Sequence, residues 1–290
     1  MSTVKTLYER MISAMGREDL VIPITAVKFY RQDEIIPEAI TSNQPTTITL
    51  TSCQATKQAS LGDAVFLTKE NIGCVAAAIS LGLVDANQDS ALCGARVYTD
   101  MMQHQSGLGQ DFISPTPKDF TEGVVYASHA AGHPEFNLFG EGDRGRFKDV
   151  QTAKRAVQDM MAIQPAIMAG VFFYSLDFDE IEVTPDIIVL SVRPIELTRL
   201  IQAYQYNTGE RITASMGGLR AVNSDLIVRP YLTQQINMSP YCLGARLIAQ
   251  YEPNRLGVGM PFHHFERVVK GMEDSKTGYP FHLYPGAFTE

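Results

Sequence analysis

Residues 52–96 read SCQATKQASLGDAVFLTKENIGCVAAAISLGLVDANQDSALCGAR. This stretch contains three of the four cysteines of the chain, Cys53, Cys74 and Cys93, at intervals of 21 and 19 residues. None of these intervals is a CxxC, so no single turn supplies a metal site and the fold has to assemble any such site. The fourth cysteine, Cys242, lies in SPYCLGAR, which is similar to the ALCGAR around Cys93. We therefore expect the fold to be organised around these thiols.

The same stretch predicts a helix, a strand and a second helix. Small residues followed by Gly62 indicate a short helix and its end, AVFLT indicates a strand, and Cys74 opens the alanine-rich helix VAAAISLGL. A cysteine in the first turn of a helix lies beside backbone N–H groups without an intrahelical partner, where thiols ionise readily. Cys93 and Cys242 share this setting if GARVYTDMMQHQ and GARLIAQYE are helices.

The flanking sequence predicts further helices and strands in a mixed α/β layer. Apolar residues at helical spacing predict helices over residues 3–16, 149–163 and 194–209, with Gly16 and Gly209 as ends. Apolar runs rich in β-branched residues predict strands over 21–30, 41–51, 167–176 and 186–192. The tail from Lys270, rich in Gly, Pro and aromatic residues, is expected to be irregular but packed.

Composition excludes several classes of partner. The chain has 290 residues, of which 45% are hydrophobic and 19% charged, and a net charge of -8. No run of Lys or Arg offers a basic surface, so we expect no nucleic-acid partner. We find neither a signal-peptide pattern at the N-terminus nor an apolar stretch of about 20 residues, so we expect a cytoplasmic protein without membrane contact. In that reducing compartment the cysteines are expected to be buried thiols or ligands, not disulfides.

An internal similarity predicts two related lobes. The segment 52–77 and the segment 218–245 each contain a small-residue helix, a strand, an asparagine-containing turn and then a cysteine before a Gly/Ala helix. We therefore predict a single two-lobed α/β or α+β domain over 1–290, with mixed sheets flanked by helices and the cysteines near the lobe interface. The lobes span about 1–100 and 150–270, and 101–149 is a loop-rich insertion. Apolar helices predict a homo-oligomer.

The chain resembles an uncharacterised family, domain of unknown function 169, found largely in anaerobic archaea and bacteria. The matching segments are PITAVKFY, 53–82, TPDIIVLSVRPIELTRLIQAY, GGLRAVNSDLIVRPYLTQQINMSPYCLGAR and GVGMPFHHFERVVKGM, which together span nearly the whole chain outside the insertion. The resemblance implies cysteines suited to metal or cluster binding, and it implies no established reaction.

The chemistry of the thiols favours an iron–sulfur cluster. Cys53, Cys74, Cys93 and Cys242 supply the four thiolates that a [4Fe–4S] or [2Fe–2S] cluster or a structural zinc requires. Zinc is the weaker choice because structural zinc sites usually contain a CxxC knuckle. If Cys93 is an incidental thiol, three ligands would leave one iron open to a substrate. The alternative is four ordinary buried thiols, since cysteine is among the most buried residue types.

Other candidate ligands give weaker signals. Gly132 and Pro134 argue against a helix that would bring His129 and His133 together. Capping or surface exposure explains the pair His263 and His264 better than metal ligation does. Residues 140–145, GEGDRG, match GxGxxG without the buried strand that a dinucleotide site needs. His104 has no partner motif. Arg96 and Arg246, close behind two cysteines, would steady a reduced cluster or an anionic ligand, or form ordinary ion pairs.

The leading functional hypothesis is a cytoplasmic iron–sulfur protein with a redox or cluster-dependent role in anaerobic metabolism. Its partner would be an electron-transfer protein or a small-molecule ligand. One alternative is a non-catalytic module that binds or delivers a metal or metallocofactor. Another is a metal-free protein that binds a small organic ligand between its lobes. The residues do not indicate which reaction, if any, is catalysed.

Overall fold

The computed structural model describes residues 3–16, 21–44, 50–84, 161, 163, 166–218 and 221–275. Its strands are β1 (Ile24–Arg31), β2 (Ala64–Leu67), β3 (Met168–Tyr174), β4 (Ile187–Val192), β5 (Asn237–Ser239) and β6 (Leu256–Pro261). Its helices are α1 (Thr3–Ala14), α2 (Glu38–Thr41), α3 (Ser52–Ala59), α4 (Val75–Ser80), α5 (Pro194–Thr208), α6 (Ala221–Asn223), α7 (Arg229–Thr233), α8 (Leu243–Ile248) and α9 (Phe262–Asp274). A π-helical segment, Ser224–Val228, joins α6 to α7.

The strands form one six-stranded sheet in the order β2-β3-β1-β4-β6-β5. Each strand is antiparallel to its neighbours in the sheet. The predicted mixture of helices and strands is confirmed, and antiparallel pairing places the fold in the α+β form of that prediction. Both faces of the sheet are covered, because successive side chains along a strand point to opposite sides and both sets are buried.

Helices cover the two faces and create two cores. The cysteine-side core lies between the sheet and α3, α4, α6, the π-helical segment and α8, and it includes Cys242. The far-side core lies between the sheet and α1, α5 and α9. On β3, Val171 and Phe173 belong to the cysteine-side core, whereas Phe172 and Tyr174 belong to the far-side core. A strand that is buried on both faces has a nearly continuous apolar sequence, and residues 167–176 have such a sequence.

Several elements form where sequence signals predict them. The apolar positions of α1 are buried in the far-side core, as their spacing predicts. Helix α5 begins with Pro194, and the Glu196 carboxylate accepts a hydrogen bond from the Arg193 backbone N–H at 2.7 Å. It ends at Gly209, whose φ of 67° lies in the left-handed region that glycine adopts without strain.

Two predicted segments lie only partly within the described residues. Of the strand predicted over 41–51, residues 45–49 lie outside the described residues; helix α2 ends at Thr41, and Leu50 forms a bridge to Ile72. Where the tail from Lys270 is predicted to be irregular, helix α9 continues to Asp274, because Met272 is buried in the far-side core and extends the apolar stripe; residues 276–290 of that tail lie outside the described residues.

Other predictions fall outside the described residues or stay predictions. Cys93, the insertion over 101–149 and nearly all of the predicted helix 149–163 lie outside the described ranges. The two pseudo-repeated lobes stay a prediction, and one continuous sheet runs through the segments assigned to both. None of the helices in the described ranges is long and apolar enough to cross a membrane.

Candidate functional site

The three described cysteines all occur at helix starts. Cys53 is the second residue of α3, Cys74 is the N-cap of α4, and Cys242 is the N-cap of α8. This confirms the predicted helix starts at Cys74 and Cys242, and it places each residue at the electropositive end of a helix. Cys242 is buried, whereas Cys53 and Cys74 are partly exposed and pack against the same cysteine-side core.

A short parallel bridge brings the starts of α3 and α4 together. Leu50 and Ile72 pair in parallel just before the two helices, and the Gly73 N–H donates to the Leu50 carbonyl at 2.6 Å. A Cβ on Gly73 would lie 2.9 Å from the Leu50 carbonyl carbon, so the close approach requires glycine at this position. Two chain segments therefore run side by side into the helices that carry Cys53 and Cys74.

The start of α3 is fixed by its own cap. The Thr51 hydroxyl accepts from the Gln54 backbone N–H at 3.2 Å, and the Gln54 side chain accepts from the Thr51 backbone N–H at 3.0 Å. This reciprocal capping box satisfies two backbone donors that the helix leaves without partners. The position of Cys53 is therefore determined by residues that are next to it in the sequence.

A pair of tyrosines connects Cys242 to Cys53. Tyr241 stacks on Tyr251 with ring centroids 4.2 Å apart, and the Tyr251 hydroxyl donates to the Cys53 carbonyl at 3.3 Å. The Tyr241 hydroxyl donates to Ser191 Oγ at 2.9 Å, which fixes the ring against β4. Burial raises the pKa of Tyr241 and Tyr251 well above their usual value, so both hydroxyls remain protonated donors at neutral pH.

Cations lie beside these rings, but they are committed to other partners. Lys57 lies 5.5 Å from the centre of the Tyr251 ring and forms an ion pair with Glu252 at 2.6 Å. Arg246 lies 5.2 Å from the Tyr241 ring and donates to the carbonyls of residues 240 and 255 at 2.7 and 3.0 Å. Arg246 thus holds the loop between α8 and β6 to the start of α8, and its predicted contact with a cluster or an anionic ligand stays a prediction.

The family follows from the extent of the sequence match. Residues 19–271 match the family model described as uncharacterised ArCR, domain of unknown function 169. The chain belongs to this family. The matched range includes all six strands and all four cysteines, so the cysteine-side core is a feature of the family domain in this chain. Comparisons with curated proteins and with solved structures give no match.

The metal ligands predicted for this member of the ArCR family lie partly outside the described ranges. In the described ranges, no group of three or more His, Cys, Asp or Glu side chains is arranged to hold a metal ion. Cys93 lies outside those ranges, as do His104, His129, His133, Arg96 and the glycine-rich segment 140–145. A four-cysteine ligand set in this family member therefore stays a prediction.

The two histidines at the start of α9 differ in their surroundings, and the predicted capping or surface exposure fits only His263. His263 is exposed, while His264 is buried and its Nε2 lies 3.0 Å from the Gln234 carbonyl oxygen. Burial lowers the pKa of His264, which favours the neutral ring donating from Nε2 to that carbonyl. Its Nδ1 is buried without a hydrogen-bond partner, and Tyr204 packs edge-on at a centroid distance of 5.5 Å.

Sequence inspection missed the buried polar groups of the ArCR domain. Asp225 and Asn237 lie within apolar surroundings around the π-helical segment, and Arg199 is fully buried on α5. The available signal was weak but present, because Arg199 occupies the helix face of its apolar neighbours Leu200 and Ala203 in PIELTRLIQAY. A charge on an apolar helix face indicates a buried polar contact or a ligand.

Proposed function

We propose that the chain holds a cysteine-ligated metal centre at the cysteine-side core, with an iron–sulfur cluster as the leading candidate. The observation that carries this proposal is that Cys53, Cys74 and Cys242 begin three helices around one core, two of them adjacent through the Leu50–Ile72 bridge. Cys93, outside the described ranges, is the fourth ligand in this proposal. Helix starts suit thiolate ligands because the positive end of the helix dipole favours the negative charge on sulfur.

The proposed role is redox or cluster-dependent chemistry in anaerobic metabolism. A bound cluster would supply one-electron transfer, or a Lewis-acidic iron if only three thiolates bind. The residues of the chain would supply the surroundings. The stacked pair Tyr241 and Tyr251 and the apolar residues of the core would exclude water from one side, and the partly exposed Cys53 and Cys74 would leave the other side open to a partner.

One observation favours a second candidate function. The described residues alone contain no group of three metal-binding side chains. The site therefore fits equally well a delivery protein, which holds a metal with fewer protein ligands and passes it on to another protein. The partial exposure of Cys53 and Cys74 suits such a delivery role, since a receiving protein has to reach the metal. A metal-free site for a small organic ligand is the remaining alternative.

The deciding experiment is metal analysis of the full chain purified without oxygen. We expect iron and acid-labile sulfide in equal amounts, at a level that corresponds to a fully occupied cluster in each chain. The visible absorption of the cluster should decrease on reduction. Single variants C53S, C74S and C242S should each lose most of the iron. The variant S52A, at the buried neighbour of Cys53, is the matched control and should retain it.

The variant C93S distinguishes a four-thiolate ligand set from a three-thiolate set without Cys93, because it loses the cluster only if four thiolates bind. Transfer of iron or another metal to an apo-acceptor protein, without a stable cluster spectrum, would favour the delivery role. Oxygen-free protein that contains no stoichiometric metal of any kind would reject the metal centre and leave the organic-ligand alternative.

A further inference from the structure

His264 is a buried histidine that joins the start of α9 to the end of α7. It is 4% exposed, and its Nε2 lies 3.0 Å from the Gln234 carbonyl oxygen. The Tyr204 ring of α5 packs edge-on against the imidazole at a centroid distance of 5.5 Å. Three helices therefore meet at a side chain that can change its charge near neutral pH.

The carbonyl that His264 contacts belongs to a strained turn, residues 234–236, which we call the α7–β5 turn. Gln234 ends α7 with a φ of 56°, in the left-handed region that residues other than glycine seldom adopt. Its N–H donates to the Pro230 carbonyl at 2.9 Å, and its side chain donates to the Tyr231 carbonyl at 2.7 Å. These two bonds remain within α7, whereas the bond from His264 connects the turn to α9.

Only the neutral imidazole fits these surroundings. Nε2 donates to the Gln234 carbonyl, so a second proton on the ring would have to reside on Nδ1. Nδ1 is buried and has no hydrogen-bond partner in the described ranges. A protonated His264 would therefore bury a charge and also a donor without an acceptor, and both are unfavourable.

The charged groups around His264 act in both directions. His263, whose ring centroid lies 4.3 Å away, and Arg267, on the next turn of α9, oppose a positive charge on the ring. Glu210, which follows α5, favours one. The α7–β5 turn adds no titratable side chain. Burial has the largest effect, and the pKa of His264 is lowered as a result.

We infer that His264 is a pH-sensitive contact, which holds the α7–β5 turn against α9 when the ring is neutral and releases the turn when the ring is protonated. On release, the charged ring reaches water, and Gln234 can leave its left-handed conformation. Ile236, which is 4% exposed in the far-side core, becomes accessible as the turn moves. This device is separate from the proposed metal centre, because α9 packs on the opposite face of the sheet.

The direction of the pH dependence follows from the protonation of the two states. Because the pKa of His264 in the native state lies below its ordinary value of 6.5, the unfolded state binds this proton more tightly than the native state does. The contribution of the contact to stability is therefore fully present above about pH 6.5 and is lost as the pH falls through the native-state value.

Amide hydrogen exchange of the full chain at several pH values from 7 to 5, corrected for the intrinsic rates, measures the release. We expect protection of residues 233–239 to lie below that of β3 and to fall at least about threefold over this range. In H264Q, an amide nitrogen replaces Nε2 as donor to the Gln234 carbonyl and cannot titrate, so this fall should be absent. An equal fall in both proteins, or protection of the turn equal to that of β3, would overturn the inference.

Variants of the surrounding charges show that the titrating group is His264. H263Q removes a neighbouring cation and should move the midpoint of the transition to higher pH, whereas E210Q removes the favourable carboxylate and should move it to lower pH. K270M, at an exposed position of α9, is the matched control and should leave the midpoint unchanged. If H264Q does not fold, H263Q and E210Q still decide, and a midpoint that is the same in both as in the wild type would reject the contact.

Discussion

At the scale of single residues, Asp225 carries a charge where the fold disfavours one. Its side chain lies in the π-helical segment at 6% exposure, and Oδ2 accepts a hydrogen bond from the Gly217 N–H at 3.0 Å. Burial raises the pKa of Asp225 to about 6, while the Gly217 N–H and the charge of Arg229 act in the opposite direction. The ionised carboxylate thus holds the loop before α6 while it destabilises the native state.

The pH dependence of stability should reveal Asp225. Because its pKa in the native state is about 6 and its ordinary value is 3.8, the native state binds this proton more tightly than the unfolded state does. The stabilising contribution of protonated Asp225 to the free energy of unfolding is therefore present below about pH 4 and is lost as the pH rises through about 6. The loss is on the order of 2 kcal/mol after allowance for solvent screening. D225N should remove that part of the slope of unfolding free energy against pH.

Chemical unfolding between pH 4 and pH 7 measures this difference. The substituted amide oxygen still accepts from Gly217, so the loop contact remains. D33N, at an exposed aspartate, should leave the slope unchanged. A slope for D225N that matches the wild type would show that Asp225 ionises normally.

Gly259 is a second residue whose identity is set by its neighbours. On β6, a Cβ at this position would lie 1.9 Å from the Leu226 carbonyl oxygen, so the strand and the π-helical segment touch through their backbones. We expect G259A to destabilise the protein by about 3 kcal/mol, because backbone atoms on both sides have to move apart. Urea unfolding of G259A beside G218A, where an added Cβ meets nothing within 4 Å, provides the measurement and the control. Similar stability of the two variants would contradict this packing.

At the scale of elements, the π-helical segment depends on one side chain from a neighbouring strand. Asn237 of β5 is 2% exposed, and its amide donates to the Asp225 carbonyl and to the Ser215 carbonyl, both at 2.9 Å. Its Oδ1 accepts from the Ser215 N–H at 2.8 Å. A π-helix displaces backbone carbonyls from their usual partners, and Asn237 satisfies one of them while it pairs with the preceding loop.

Removing that side chain should therefore destabilise the element and the loop together. We expect N237A to lower the unfolding free energy by about 3 kcal/mol, because it leaves three buried or half-buried backbone groups without partners. N207A, which deletes an exposed amide bonded to a single carbonyl, should change it by less than about 1 kcal/mol. Hydrogen exchange of residues 213–230 should accelerate in N237A. Unchanged protection there would show that the π-helical segment does not need Asn237.

The elements that sequence patterns predicted well are those with local signals. Helix α5 has Pro194 at its start and Gly209 at its end, and β3 is an apolar run between turn residues, so neighbouring residues specify both. The π-helical segment has no such signature, because its conformation depends on Asn237 and Gly259, which are distant in sequence. The helix starts at Cys74 and Cys242 were predictable for the same local reason, whereas the Tyr241–Tyr251 contact that connects Cys242 to Cys53 was not.

At the scale of the whole molecule, one buried carboxylate connects distant parts of the chain. Glu196 is 0% exposed, forms ion pairs with Arg193 and Arg255, and lies where α5 begins. Arg255 also donates to the Ser191 carbonyl at 2.7 Å and to the Val21 carbonyl at 3.4 Å. This network joins the segment before β1, the end of β4, the start of α5 and the segment before β6. It therefore stabilises the central strands of the sheet, against which both cores pack.

Arg255 should therefore stabilise the whole molecule. R255M leaves Glu196 buried with Arg193 as its remaining charged partner, and we expect the unfolding free energy to fall by about 3 kcal/mol in a single cooperative transition. The double variant R255M/E196Q should recover part of that loss, since it removes the uncompensated charge. K270M, which breaks the exposed Lys270–Asp274 pair on α9, should change stability little and only at low salt. Equal unfolding midpoints in urea for R255M and K270M would show that the buried network contributes no more than a surface ion pair.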